Sequence, residues 1–155
     1  IIKKDKLNIL FKFDKYWGNS CNIMKKANKI PKTTKVKLSG FYRDKRGIIL
    51  NLRNGLFGSC ALIKSKKNSV RANHYHKKDW HYCYVLKGKI EYFYRKHGSK
   101  AKPKKIIIKQ GELFFTPPMV DHAMKFPVYT EFLTIGKGSR TKFNYDKDTY
   151  KVELI

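Results

Sequence analysis

The stretch Arg71-Ala72-Asn73-His74-Tyr75-His76-Lys77-Lys78-Asp79-Trp80-His81, followed by Gly88, decides how this chain is read. A second block runs from Gly111 through Pro117-Pro118 to His122. Four of the five histidines fall in these two blocks. Imidazole binds metals and moves protons near neutral pH, so a convergent set of imidazoles marks a site. In a strand, His74 and His76 stand two residues apart and share a face. Residues 77–80 supply a turn, and His81 opens the next strand with Cys83 and Val85 on its side and Tyr82 and Tyr84 on the other. His122 follows the Pro-Pro corner, and Met124 and Phe126 continue its face inward. Two hairpins therefore bring four imidazoles together.

Outward from these blocks, short β-type runs alternate with turn signals. Residues 48–52 end at Asn54-Gly55, and 61–63 end in a polar loop at 64–69. Residues 81–86 turn at Lys87-Gly88-Lys89 into 90–95, a hairpin signature. Residues 106–108 turn at Gln110-Gly111 into 113–116, and 132–135 stop at Gly136-Lys137-Gly138. Short, evenly spaced strands without a long helix imply an all-β antiparallel sandwich or barrel. Residues 1–35 read as an N-terminal extension in which Leu7, Ile9, Leu10, Phe11 and Phe13 suit a strand or an amphipathic start. Residues 36–155 form one domain.

Composition narrows the function classes. A chain of 155 residues with 41% hydrophobic and 14% aromatic residues buries a core. Cys21, Cys60 and Cys83 leave an odd count with no C-x-x-C pair, so a reducing, cytoplasmic setting is expected. No apolar run approaches the roughly 20 residues of a membrane helix. The net charge of +25 raises nucleic-acid binding. Against it, the lysines are spread along the whole chain, and only six of the 36 basic residues are arginines, the residue suited to bidentate phosphate and base contacts. A small phosphorylated ligand, which needs a few basic groups at one mouth, is the expected partner.

The spacing H-x-H-x4-H-x6-G followed by G-x5-P-x4-H resembles the two signature motifs of the cupins, which implies a double-stranded β-helix (jelly-roll) barrel with a site at one mouth. His81 stands where many cupins carry a glutamate ligand, and Pro118 and Met119 follow Pro117 where a glycine is usual. Phe41-Tyr42-Arg43-Asp44-Lys45-Arg46-Gly47 resembles the D-x-R-G motif of the cupin nucleotide-sugar isomerases, the deoxysugar 3,4-ketoisomerases and 3,5-epimerases. Residues 71–77 resemble their R-G-x-H motif, with Ala72 in the glycine's place, and His76-Lys77 is closer to the ketoisomerase form. The resemblance implies an enzyme of surface-polysaccharide synthesis. Its ligand would be a thymidine- or uridine-linked sugar held by Arg46 and Arg71. His74 would remove a proton next to the keto group, with His76 as partner. A tyrosine acid is to be sought among Tyr75, Tyr82, Tyr84 and Tyr92, with Tyr84 also named as substrate-binding. A homodimer that exchanges edge strands or the N-terminal segment is expected.

The chemistry stands without the family. A proton next to a ketone is acidic enough for a histidine base, and the resulting enolate needs a donor or cation. Arg71 lies three residues before His74, so a regular strand aims them to opposite faces; they meet only if a bulge or the barrel rim intervenes. The rival reading makes His74, His76, His81 and His122 ligands of Zn, Ni, Fe or Cu in a dioxygenase-like enzyme. Ligation uses the lone pairs that proton transfer needs. A non-catalytic sugar-binding protein is a third reading. His97, beside Gly98, reads as a surface residue, and Cys83 as a small buried one.

Overall fold

The computed structural model describes residues 30–155; the strand or amphipathic start expected within residues 7–13 lies outside them. Ile30–Leu52 and Phe57–Ile155 form one compact unit. It is built on two five-stranded antiparallel sheets. The first has the order β1 (Lys35–Val36), β9 (Leu113–Thr116), β6 (His81–Lys87), β11 (Thr130–Gly136), β4 (Ser59–Ser65). The second has the order β12 (Tyr150–Lys151), β5 (Val70–Tyr75), β10 (Val120–Lys125), β7 (Lys89–Lys96), β8 (Lys104–Lys109). β2 (Gly40–Asp44) and β3 (Gly47–Asn51) pair only with each other. Neighbours in chain order repeatedly fall in different sheets, as in a jelly roll.

Alternation along the strands explains the two layers. Cys83 and Val85 of β6 join Ile90, Tyr92, Ile108, Phe114, Met124, Phe126 and Phe132 in the core. The stacked rings of Phe126 and Phe132 lie 5.8 Å apart there. Each fully buried side chain of this size contributes roughly 1.5–3 kcal/mol, so this core dominates the stability of the barrel. Tyr82 and Tyr84 turn the other way, onto a second cluster with Trp80, Leu113 and Phe115. The β6–β7 turn passes through Gly88 at φ +85°, where a Cβ would lie 2.5 Å from the Tyr129 carbonyl oxygen. Only glycine fits that turn without strain.

The element that matters most for the site is an irregularity in β5. His122 pairs with His74, but Ala123 pairs with Ala72, so one residue, Asn73, is extra on the β5 side. Ala72 and Asn73 both adopt the left-handed conformation, at φ 68° and 53°. This is a β-bulge, and it reverses the facing of every residue that precedes it.

Beyond β11 the chain returns as a strap across β5 and β6. Lys137 donates its backbone N–H to the Trp80 carbonyl at 3.1 Å, and Gly138 donates to Asp79 Oδ1 at 2.8 Å. A single short helix follows among the described residues, α1 (Lys142–Lys147), none of whose residues is fully buried. β12 then pairs with β5, placing Tyr150 opposite Tyr75 and Lys151 opposite His74. Among the described residues no helix is long and apolar enough to cross a membrane.

Candidate functional site

β5, β6 and β10 deliver the histidines. His74, His76, His81 and His122 are all buried. The ring centroids of His74 lie 4.6 Å from those of both His76 and His122. His76 and His81 hydrogen-bond through their Nε2 atoms at 3.0 Å. The ring nitrogens of the four separate into two groups that share His76: one of His74, His76 and His122, and one of His76, Asp79 and His81.

Hydrogen bonds to carbonyls fix the tautomers. His76 donates Nδ1–H to the Asp148 carbonyl at 2.7 Å, and His122 donates Nδ1–H to the Val120 carbonyl at 3.0 Å. Each therefore presents a bare Nε2. His74 is similarly tied to the Ala72 carbonyl through one ring nitrogen. Since His76 Nε2 accepts, His81 Nε2 donates, and His81 Nδ1 is left buried without a hydrogen-bond partner, 3.9 Å from Asp79 Oδ2. Burial, reinforced by His122, His76 and Arg140, drives the His74 pKa down to about 2. Burial also lowers His122 to about 4 and holds His81 well below the ordinary range. All three are neutral near pH 7. Cys83, on the same wall, is pushed up to about 12 by burial and is no nucleophile.

Two cavities flank this cluster. A chamber of about 120 Å³ is lined by Arg71, His74, His81, His122, Arg140 and Tyr145, among others. A wider cleft of about 330 Å³ is lined by His76, Lys78, Asp79, Lys137, Asn144 and Tyr145, among others. The bulge is what brings Arg71 onto the chamber wall beside His74. Its guanidinium is anchored by Nε to Ser65 Oγ at 2.9 Å and by Nη2 to the Lys64 carbonyl at 3.2 Å.

Other expected residues lie elsewhere. Arg46 sits at the tip of the β2–β3 ribbon, locked to Asp44 by Nη2–Oδ2 at 2.6 Å and Nε–Oδ2 at 3.1 Å, and lines a separate surface pocket. Within one chain it does not join Arg71. Tyr84 packs with Trp80 and Phe115 on the outward face of β6, away from the histidines, because alternation leaves it no other direction. Tyr75 stacks between His97 and Tyr150, and Tyr92 is buried with its hydroxyl on Thr116. His97 is not a bare surface residue: it stacks on Tyr75 at 3.7 Å and its Nδ1 meets Asp121 Oδ1 at 2.7 Å.

Sequence reading missed the contribution of the strap. Tyr145 of α1 places its ring 6.3 Å from His74 and 6.0 Å from His76. Arg140 lies over the Tyr145 ring, its guanidinium carbon 5.3 Å from the centroid. The Asp148 carboxylate accepts the backbone N–H groups of Lys77, Lys78 and Asp79 at 2.8–3.2 Å. No spacing signal ties 140–148 to the histidines; only the pairing of β12 with β5 does.

A scan of protein-family models and a search of curated proteins find no match. Solved structures do match. The sugar 3,4-ketoisomerase QdtA of Thermoanaerobacterium thermosaccharolyticum, in complex with TDP, superposes with a TM-score of 0.59 at 18% identity over 73% of this chain and 88% of that one. The 3,5-epimerase RmlC of Legionella pneumophila, in complex with dTDP-4-keto-L-rhamnose, gives 0.58 at 15% identity over 75% and 70%. The capsular polysaccharide assembling protein CapF of Staphylococcus aureus gives 0.57 at 18% identity over 74% of this chain, which spans about a third of CapF's length (34%). The fold of this chain is the cupin-type jelly roll that these three structures share.

Proposed function

We propose that this chain is an isomerase or epimerase of a nucleotide-linked keto sugar, moving a proton at the carbon next to the ketone. One observation carries this reading: the bulge at Ala72–Asn73 sets an arginine fork and a neutral imidazole on the same chamber wall. The fork of Arg71 suits a diphosphate, and His74 acts as the base. His76 pairs with His81 to form a second proton-carrying unit, and Tyr145 takes the tyrosine role that Tyr84 is too far around the strand to fill. Burial and nearby positive charge hold the His74 imidazole neutral; an anionic ligand beside it offsets both and brings its pKa back toward a range useful for a base. The TDP and dTDP-sugar ligands of the structural neighbours support the ligand class. The expected homodimer is part of the proposal. The exposed Phe41, Tyr42, Ile49 and Leu50 of the β2–β3 ribbon are the side chains such a contact would cover. Incubation with TDP-4-keto-6-deoxyglucose in D₂O tests the reaction, with NMR following deuterium entry next to the ketone. The reading fails if no deuterium enters and neither TDP nor UDP raises the melting temperature.

A second reading has its own observation. His74, His76 and His122 bring three buried ring nitrogens within 4.8 Å of one another, each ring steadied by a backbone carbonyl, as in metal sites. This donor set fits Zn, Ni, Fe or Cu, which would act as a Lewis acid toward a carbonyl. Elemental analysis of protein purified without added metal separates the readings: stoichiometric metal retained through chelation removes His74 as a free base.

A further inference from the structure

In a chain of net charge +25 most cations simply stand in water. Arg140 is different in where it stands. Much of its surface is exposed, yet it lines the histidine chamber. Its guanidinium is propped on the Tyr145 ring. None of the ion pairs among the described residues involves it. Its charge is felt inside the chamber, at His74 and at His81. Arg71, the other guanidinium on that wall, has Nε and Nη2 committed to Ser65 and Lys64. The two arginines therefore divide the work: Arg71 is a fixed anchor at the wall, and Arg140 is an unpaired charge over the histidines, supplied by the strap.

We infer that Arg140 is a catalytic residue that receives the negative charge developing on the carbonyl oxygen of the ligand, and that Tyr145 holds its guanidinium in place. The inference rests on the proton-transfer reading above. His74 takes the proton through its uncommitted nitrogen. The C–H electron pair becomes the second bond of the C=C, and the carbonyl π pair moves onto oxygen, where the guanidinium N–H groups meet it. The Tyr145 hydroxyl gives a proton to the other face of that carbon, which re-forms the carbonyl; His74 then loses its proton to water and Tyr145 regains one from water, so no oxidant or reductant is consumed. Charge-assisted donors aimed at a developing oxyanion in a partly dehydrated chamber are the kind of group whose removal costs rate more than binding.

The test uses the full chain with Arg140→Gln and Arg140→Lys, and Lys100→Gln as a surface-charge control. Two readouts are taken. The first is titration with oxalate, a planar enediolate mimic, with a chelator present, followed at the histidine ring nitrogens by NMR. The second is deuterium exchange into TDP-4-keto-6-deoxyglucose, with TDP affinity measured alongside. Oxalate is expected to shift the His74 and His122 signals, Arg140→Gln to weaken that binding about tenfold, Arg140→Lys less, and Lys100→Gln not at all. Exchange is expected to fall about 100-fold or more in Arg140→Gln while TDP affinity stays within about threefold. Equal oxalate affinity in wild type and Arg140→Gln overturns the inference, as does an unchanged exchange rate. If wild type leaves the sugar unexchanged but binds oxalate through Arg140, the nucleotide-sugar reading falls and the anion role of Arg140 stands.

Discussion

Asp148→Ala is the sharpest probe of how the strap builds the site. The Asp148 carboxylate receives Lys77 N–H at 3.1 Å, Lys78 N–H at 3.0 and 3.2 Å, and Asp79 N–H at 2.8 Å. Its carbonyl receives His76 Nδ1–H at 2.7 Å. One residue thus clamps the turn that leads from His76 to His81. Hydrogen bonds to a charged acceptor contribute about 1.5–3 kcal/mol each when protected. Lys77 and Lys78 are exposed and Asp148 only half-buried, so water recovers part of the loss. Half of the lower figure for three donors gives about 2 kcal/mol, comparable to the worst helix-cap losses. For a chain of this length that is a fall of about 4–8 °C in melting temperature.

Urea unfolding reads the stability loss, and amide exchange at residues 77–79 and 137–155 reads where it falls. Acid provides a second check. Burial alone would raise the Asp148 carboxyl, but the N–H groups of Asp79, Lys78 and Lys77, aided by His76, outweigh it and hold the pKa below 3.8. A carboxylate depressed on folding stabilises above its unfolded value and loses that stabilisation as pH falls through the folded value. The gap between wild type and Asp148→Ala is therefore constant at neutral pH and narrows below about pH 3.8. Equal stability at pH 7, or a gap that widens in acid, would refute the clamp.

Other perturbations follow from the same geometry. A Cβ at position 136 would lie 2.9 Å from Ser59 Oγ and 3.1 Å from His81 Nδ1, so Gly136→Ala is expected to displace the His81 ring and cost about 1–3 kcal/mol. Denaturant midpoints and the His81 ring signals report it. Ala72→Val puts a β-branched residue at φ 68°, which is expected to destabilise by at least about 1–2 kcal/mol and to pull Arg71 away from the chamber, read as lost TDP binding. Arg71→Lys keeps the charge but loses the fork to Ser65 and Lys64; TDP affinity measured by calorimetry is expected to fall about tenfold.

The barrel was legible because alternation and turn chemistry agree along most of its strands. β9 falls at Leu113–Thr116 as expected from 113–116, and the 81–95 hairpin turns at Gly88. The opposing faces of Cys83 and Tyr84 followed from the period of two alone. The bulge was one of two devices, with the barrel rim, by which Arg71 and His74 could share a wall, and its residues are not glycine. Ala72 and Met119, at φ 68° and 57°, occupy left-handed positions that the motif gives to glycine, so the surrounding pairings hold a conformation the side chains disfavour. The strap was illegible because its ties to the site are single long-range bonds, such as Gly138 to Asp79 and Asp148 to the 77–79 turn, with no local periodicity behind them. The setting of Arg46 was not legible for a related reason: a motif fixes the turn it forms, and the ribbon carrying that turn pairs with neither sheet.

The two readings of the histidines meet at one atom. His76 Nε2 accepts from His81 at 3.0 Å and is also the nitrogen that His76 would offer beside His74 and His122. It serves one purpose at a time. If His81 is a proton partner, His81→Phe releases that lone pair, and the affinity of the remaining three-histidine group for Zn rises. One neutral hydrogen bond of about 1 kcal/mol corresponds to about fivefold. If His81 is a ligand in a four-histidine sphere, the same substitution removes a donor and Zn affinity falls. The position of His81, where many cupins carry a glutamate, makes the second outcome the one its sequence motif implies. Its unpartnered Nδ1, turned toward Asp79 rather than toward His74 and His122, favours the first. Zn titration of wild type and His81→Phe therefore decides whether this chain has turned a ligand position into a proton-handling one.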